Sequence, residues 1–137
     1  MPEFYSFFVN SIKRITLDSV VLTLKIKPEL KQFYKFSAGQ YVTLELQIDG
    51  VIVRRSYSIC SEPDVESFDL GIKKVQNGIF STYVNEKLKI GDSLKVGKPE
   101  GRFIWEPNEK DKIMAIAAGS GITPIMSIIK SVIKHTE

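Results

Sequence analysis

The sequence predicts an all-β fold over residues 1–106, a six-stranded antiparallel Greek-key barrel with one short capping helix. The first βα unit of a second, incomplete domain is expected to follow over residues 107–137. Three observations carry this. Short runs of alternating apolar residues recur about every dozen residues up to position 97, with turn signals between them, which favours a closed barrel over an open sheet. A single stretch, residues 82–88, breaks the alternation with helical spacing. Past residue 111 the pattern changes to a continuous apolar run, a glycine-rich loop and a helix-period segment.

Each element follows from local chemistry. Residues 4–15 are rich in aromatic and branched side chains, and residues 20–27 place Leu22, Leu24 and Ile26 on one face; a turn at 17–19 joins the two strands. A longer connection, residues 28–39, ends in Ala38-Gly39-Gln40. Residues 41–48 then alternate strictly, with Val42, Leu44, Leu46 and Ile48 facing inward. Asp49-Gly50 supplies the positive-φ residues of a tight hairpin, so residues 51–59 pair directly with that strand. A polar loop at 62–67 precedes a fifth strand, residues 68–75, with Phe68, Leu70 and Ile72 on one side. Ser81 is the expected cap of the helix over 82–88. Gly91-Asp92 turns the chain into a sixth strand at 93–97. Beyond the polar segment 106–111, a buried strand is expected over 112–118, then the loop Gly119-Ser120-Gly121, then a helix over 124–134 with Thr123 as its cap and Pro124 at its first position.

Composition narrows the function classes. A net charge of +3 is too small to build a nucleic-acid surface, so no nucleic-acid partner is expected. One cysteine, Cys60, excludes an intramolecular disulfide. With His135 as the one histidine, it cannot build an all-protein zinc or iron–sulfur site, so no metal is expected. The N-terminus lacks a basic start and apolar core, and no stretch approaches the ~20 apolar residues of a membrane span. A cytoplasmic protein without membrane contact is expected.

Three stretches carry chemistry. In residues 51–61, VIVRRSYSICS, side chains two apart share a face of a strand, so Arg55 and Tyr57 project together. A fixed cation beside a flat ring suits a ligand with both phosphate and ring, although an ordinary edge strand with solvated arginines also fits. The Gly78-x-x-Ser81 turn presents unpaired amides at a helix start, a seat for phosphate or simply a capped helix. The loop Gly119–Gly121 before Thr123 and Pro124 could admit a nucleotide diphosphate. It is not the full Gly-x-Gly-x-x-Gly fingerprint, and it also reads as a plain strand-to-helix turn.

Four motifs, Arg55-Ser56-Tyr57-Ser58, Gly78-x-x-Ser81, Pro99-x-Gly101-x-Phe103 and the run from Ala117 to Pro124, stand in the order and spacing of the ferredoxin–NADP reductase family, which the chain resembles over nearly its whole length. Residues 59–62 and 73–83 most resemble the oxygenase-associated reductases of phenylacetate degradation. The resemblance implies FAD as cofactor, with FMN less suited, and NAD(P)H as substrate of the complete enzyme. It implies that Arg55 holds the FAD pyrophosphate, that Ser56 belongs to the flavin-contacting run, and that Tyr57 stacks on the isoalloxazine. Ser58 would sit near flavin N5, making Tyr57 and Ser58 the catalytic positions. Strand alternation puts Ser58 opposite Tyr57, so a bend or bulge is expected there. Ile72, Lys73 and Val75 would line the ribityl and adenosine side. Gly78 and the amides of Ile79, Phe80 and Ser81 would bind phosphate, and Gly119, Gly121 and Thr123 would meet the nicotinamide.

In such reductases a nicotinamide domain needs about a hundred more residues than the sequence carries here, so the chain is expected to be the FAD-binding portion of a larger flavoprotein oxidoreductase. Electrons would pass to an electron-acceptor protein or a [2Fe–2S] domain, whose four cysteines this sequence lacks. Two rival readings are a flavin-binding sensor or regulatory module without turnover, and a β-barrel interaction protein that binds no flavin. An unpartnered apolar helix face, Ile125, Ile128, Ile129, Val132 and Ile133, leads to the expectation of either a homodimer through the C-terminal segment or poor order there.

Overall fold

The computed structural model describes residues 3–63, 66–106 and 112–135. Its strands are β1 (Phe4–Thr16), β2 (Ser19–Lys25), β3 (Tyr41–Ile48), β4 (Val51–Ser58), β5 (Ser67–Lys73) and β6 (Ser93–Gly97), with helices α1 (Ile79–Glu86) and α2 (Ile122–His135). All pairings are antiparallel, in the order β4-β3-β6-β1-β2-β5. The all-β expectation therefore holds. β1 serves two partners: Phe4 to Phe8 pair with β6, and from Val9 onward the strand pairs with β2. The register shifts between Val9 and Ser11, where the extra residue bends the strand and curls the sheet. The edge strands β4 and β5 meet beyond the end of β4, through the Ile59–Leu70 bridge and the Cys60 amide, which donates to Asp69 O at 2.9 Å.

Period-2 patterning fills the inside of this curl. Leu22, Leu24, Val42, Leu44, Phe68, Leu70 and Ile72 are fully buried, as alternation requires once one sheet face is removed from water. Each such side chain contributes on the order of 1.5–3 kcal/mol relative to exposure. Tyr34 lies among them, its ring 4.7 Å from Phe7 and 6.4 Å from Phe68, and its phenol donates to Val96 O at 2.6 Å. Burial pushes that phenol far above the usual tyrosine range, so it stays a donor. The hairpin turn is the one expected: Asp49 and Gly50 have φ of 49° and 78°.

Four local expectations are corrected. β5 ends at Lys73 because the Lys74 amide turns to Asp18 O at 2.6 Å and Asn77 adopts a φ of 61°. α1 starts at Ile79, with Gly78 as N-cap, and ends at Glu86. Ser81 lies inside its first turn and accepts a hydrogen bond from the Val75 amide at 3.0 Å instead of capping. The strand expected over residues 112–118 does not pair. These residues are exposed, Met114 at 87% and Ile116 at 84%, since a strand needs a ladder partner and none lies beside it among the described residues. α2 starts at Ile122 after a 3-10 turn at Gly119–Gly121, so Thr123 is helical, and its hydroxyl donates to Ser120 O at 3.0 Å. The domain boundary expected between residues 106 and 107 falls at the edge of residues 107–111, which lie outside the described ones.

The C-terminal helix does not stand free. Ile125, Ser127, Ile128 and Ser131 are buried, the Ser127 hydroxyl donates to Ser61 O, and Lys134 approaches Glu62 at 3.9 Å. At the helix start, Thr123 packs so closely on β5 that a Cβ on Gly71 would lie 3.3 Å from its methyl group. Small serines let the helix approach, while Ile122, Ile129 and Ile133 remain exposed. The open apolar face expected from the sequence is thus half covered by the barrel itself. Ser127→Leu, which overfills a position with 0% exposure, should cost about 1–3 kcal/mol and strip hydrogen-exchange protection from residues 122–135. Unchanged exchange would show that this contact does not hold the helix.

Candidate functional site

Strand parity assembles the site. Across the β3–β4 ladder Leu44 faces Arg55 and Val42 faces Tyr57, whereas Glu45 faces Arg54, Thr43 faces Ser56 and Tyr41 faces Ser58. Arg55 and Tyr57 therefore share one face, with Arg54, Ser56 and Ser58 on the other. The opposite face is internally satisfied: Arg54 Nε donates to Glu45 Oε2 at 2.7 Å, its guanidinium sits 4.7 Å over the Phe4 ring, and the Ser56 and Thr43 hydroxyls bond at 2.9 Å. Arg55 is exposed, and among the described residues its guanidinium donates only to a backbone carbonyl, Arg54 O, at 2.7 Å. Of two adjacent arginines, one holds a carboxylate and the other, among the described residues, does not.

The ladder is regular from Val51 to Ser58, so the bend expected at Ser58 is absent from β4. The chain leaves the ladder one residue later, at Ile59, whose amide donates to Gln40 O at 3.0 Å and which bridges Leu70. Ser58 is half-buried opposite Tyr41, on the other side of the strand from Tyr57.

Tyr57 links β4 to α1. Its ring centroid lies 5.9 Å from that of Phe80, tilted by 35°, and Phe80 is buried against the core. Burial raises the Tyr57 phenol above its ordinary value, with neighbouring Arg55 pulling the other way, so the ring stays neutral at physiological pH. Phe80 thus contributes more than the backbone amide assigned to it from sequence. Its signal was its spacing four residues before Val84, which puts both on the core face of α1.

The first turn of α1 is open and close-fitting. Ile79, Phe80 and Ser81 begin the helix, so their amides have no carbonyl one turn back within it. A Cβ on Gly78 would come 2.6 Å from Ser81 Oγ and 3.1 Å from Val75 O, so any side chain there must displace the Ser81 hydroxyl or shift the loop. Val75 and Ile79 are exposed at 62% and 59%, and Lys73 is exposed beside them. Ile72 departs from expectation: its side chain is fully buried in the core opposite Val20, because its parity on β5 points inward, and it cannot line a ligand. Gly119, Gly121 and Thr123 sit at the start of α2. Thr123 reaches β5 at Gly71, and an added Cβ on either glycine would meet nothing within 4 Å. Thr123 ties them to β5, the strand that leads into the α1 start. No helix among the described residues is long and apolar enough to cross a membrane.

The family described as "oxidoreductase FAD-binding domain" matches residues 6–105. The chain is 35% identical over 136 residues to one of the subunits of the 1,2-phenylacetyl-CoA epoxidase of Escherichia coli, a match spanning 98% of this chain and 38% of that protein. It is 45% identical over 123 residues to the glycine betaine monooxygenase reductase subunit of Pseudomonas aeruginosa, covering 89% and 34% of the two. A ferredoxin NADP+ reductase from Neisseria gonorrhoeae, solved with bound FAD and NADP, superposes with a TM-score of 0.77 at 26% identity over 92% of this chain and 50% of that one. The chain thus spans only between a third and two fifths of the length of these two curated relatives.

The crowding at the α1 start is directly testable. Gly78→Ala should displace Ser81 Oγ from the Val75 amide and lower the urea midpoint by the equivalent of about 1–2 kcal/mol. A neutral substitution would mean that the loop relaxes freely.

Proposed function

The chain belongs to the oxidoreductase FAD-binding domain family, and on that premise we propose that it is the flavin-holding part of an NAD(P)H-dependent reductase delivering electrons to an iron–sulfur or other one-electron acceptor protein. The observation that carries this reading is the joining of the Arg55–Tyr57 face of β4 to the first turn of α1 through the Tyr57–Phe80 contact. The residues fit FAD on structural grounds: a guanidinium without a carboxylate partner among the described residues, a half-buried neutral ring, and a close-packed glycine at the helix start. When bound, the flavin supplies the redox chemistry, taking up a hydride and releasing single electrons.

The chain's own residues bind and orient. Arg55 matches the diphosphate with a bidentate fork, and the amides of Ile79, Phe80 and Ser81 supply further donors with the favourable end of the helix dipole behind them. Tyr57 offers its ring as a stacking platform, held by Phe80 against rotation. Ser58 supplies a hydroxyl at the end of β4, and Lys73 and Val75 flank the α1 start. Gly119, Gly121 and Thr123 are the proposed nicotinamide contacts, with open space above both glycines. The relatives, one part of an epoxidase and the other a monooxygenase reductase, support an oxygenase-type acceptor. A cytoplasmic location and a homodimer through residues 112–135, covering the exposed Ile122, Ile129 and Ile133, belong to the same proposal.

Titration calorimetry tests it. Arg55→Ala should weaken FAD binding by roughly 10- to 100-fold, from loss of charged hydrogen bonds of about 1.5–3 kcal/mol. Arg54→Ala should cost stability, by stranding the mostly buried Glu45, and leave FAD affinity within about threefold. FAD should bind more tightly than FMN, since two separate anion-binding elements suit a diphosphate. Equal losses in the two variants, or an FMN preference, would contradict the assignment.

A further inference from the structure

The far end of α1 is held by an arginine distant in sequence. Arg14, near the end of β1, donates from Nη2 to Asn85 O and from Nη1 to Asn85 Oδ1 at 3.4 Å. The same Nη1 lies 3.3 Å from Thr16 O and 3.2 Å from Leu17 O, in the turn between β1 and β2. Asn85 is 8% exposed, and its Nδ2 donates to Ile72 O at 3.2 Å and to Ser81 O at 2.9 Å. Ser81 Oγ in turn accepts from the Val75 amide. A chain of hydrogen bonds therefore runs from the β1–β2 turn through Arg14, Asn85 and Ser81 to Val75, ending at the turn that opens α1.

Two features make this more than generic packing. Among the described residues, exposed Arg14 donates only to uncharged oxygens, two in the β1–β2 turn and two on Asn85 in the last turn of α1, where a cation also complements the helix dipole. Asn85 grips the helix internally, at Ser81 O, and externally, at Ile72 O of β5, which fixes the helix along its own axis as well as in tilt. A helix of eight residues is a rigid lever about 12 Å long, so a shift at Asn85 is transmitted to Ile79. Hydrogen bonds to phosphate weaken steeply once the donor angle is lost.

We propose that Arg14 and Asn85 are positioning residues for the flavin diphosphate: by fixing the axial setting of α1 they keep the amides of Ile79, Phe80 and Ser81 aligned with Arg55. This inference rests on the diphosphate reading of the site given above. Its signature is discrimination. FMN, with one phosphate, needs only one of the two anion-binding elements, whereas FAD needs both in register.

The experiment titrates the wild-type chain, Arg14→Ala and Arg14→Lys with FAD and with FMN by calorimetry, alongside urea denaturation of each without flavin. Because Arg14 is exposed, neither variant removes core volume. In Arg14→Ala the ratio of FMN to FAD dissociation constants should shrink by about five- to tenfold. Arg14→Lys, which keeps the charge without the planar fork, should fall between the two. A purely structural role would lower the urea midpoint and leave the ratio at its wild-type value, which would overturn the inference. Arg14→Lys matching wild type while Arg14→Ala falls would assign the effect to charge alone and equally contradict positioning through Asn85. A wild-type chain that binds FAD and FMN equally would instead overturn the diphosphate reading, and this inference with it.

Discussion

The register of the β3–β4 hairpin is the constraint on which the site depends. Asp49 and Gly50 close it with two consecutive positive φ angles, a geometry whose twist matches the flanking strands and leaves no slack for a slip. Moving β4 by one residue would exchange the two faces, turning Arg54 and Ser56 toward Phe80 and setting Glu45 opposite Val53 or Arg55. The register is held from both sides. Val42 and Leu44 face the core at 0% exposure, and on the reverse the Arg54–Glu45 pair, with Lys95 at 4.0 Å from the same carboxylate, fixes the outer parity. The arginine that holds the strand and the one offered to a ligand are neighbours in sequence, and parity alone gives them different roles.

The helix beside that strand is built by burial and by polar bonds together. Phe80 and Val84 anchor α1 in the core, but apolar contact is non-directional and would let the helix slide. Asn85 and Ser81 remove that freedom with bonds to fixed backbone atoms at Ile72, Ser81 and Val75. No buried side-chain nitrogen or oxygen among the described residues lacks a partner, so this polar seam carries no desolvation cost left unmet.

Much of this was legible in the sequence because it is local. Strict alternation located Tyr41–Ile48 to the residue, the Gly91-Asp92 turn did the same for Ser93–Gly97, Asp49-Gly50 declared its own turn, and period-2 parity paired Arg55 with Tyr57. What was not legible is non-local. Ser81 resembles a cap by residue type, yet its hydroxyl serves an amide six residues earlier, so the helix begins sooner, at Gly78. The apolar run at 112–118 has strand composition, but pairing needs a neighbour that composition does not name. Serines 127 and 131 carry no signal in the apolar spacing of the helix, yet both are buried and Ser127 bonds to Ser61 O. Arg14 and Asn85 lie 71 residues apart with nothing in either neighbourhood to announce the pair.

The most direct test of the central claim, that Arg55 and the α1 start form one diphosphate seat beside the Tyr57 ring, is a chemical-shift map of the 15N-labelled chain with FAD and with riboflavin. FAD should shift the amides of Ile79, Phe80 and Ser81 and the Arg55 guanidinium, together with Tyr57. Riboflavin, which carries the ring without phosphate, should move Tyr57 and leave the other four signals in place. Equal shifts with both ligands, or FAD shifts centred on Ser61, Lys130 and Lys134 at the foot of α2, would contradict the account.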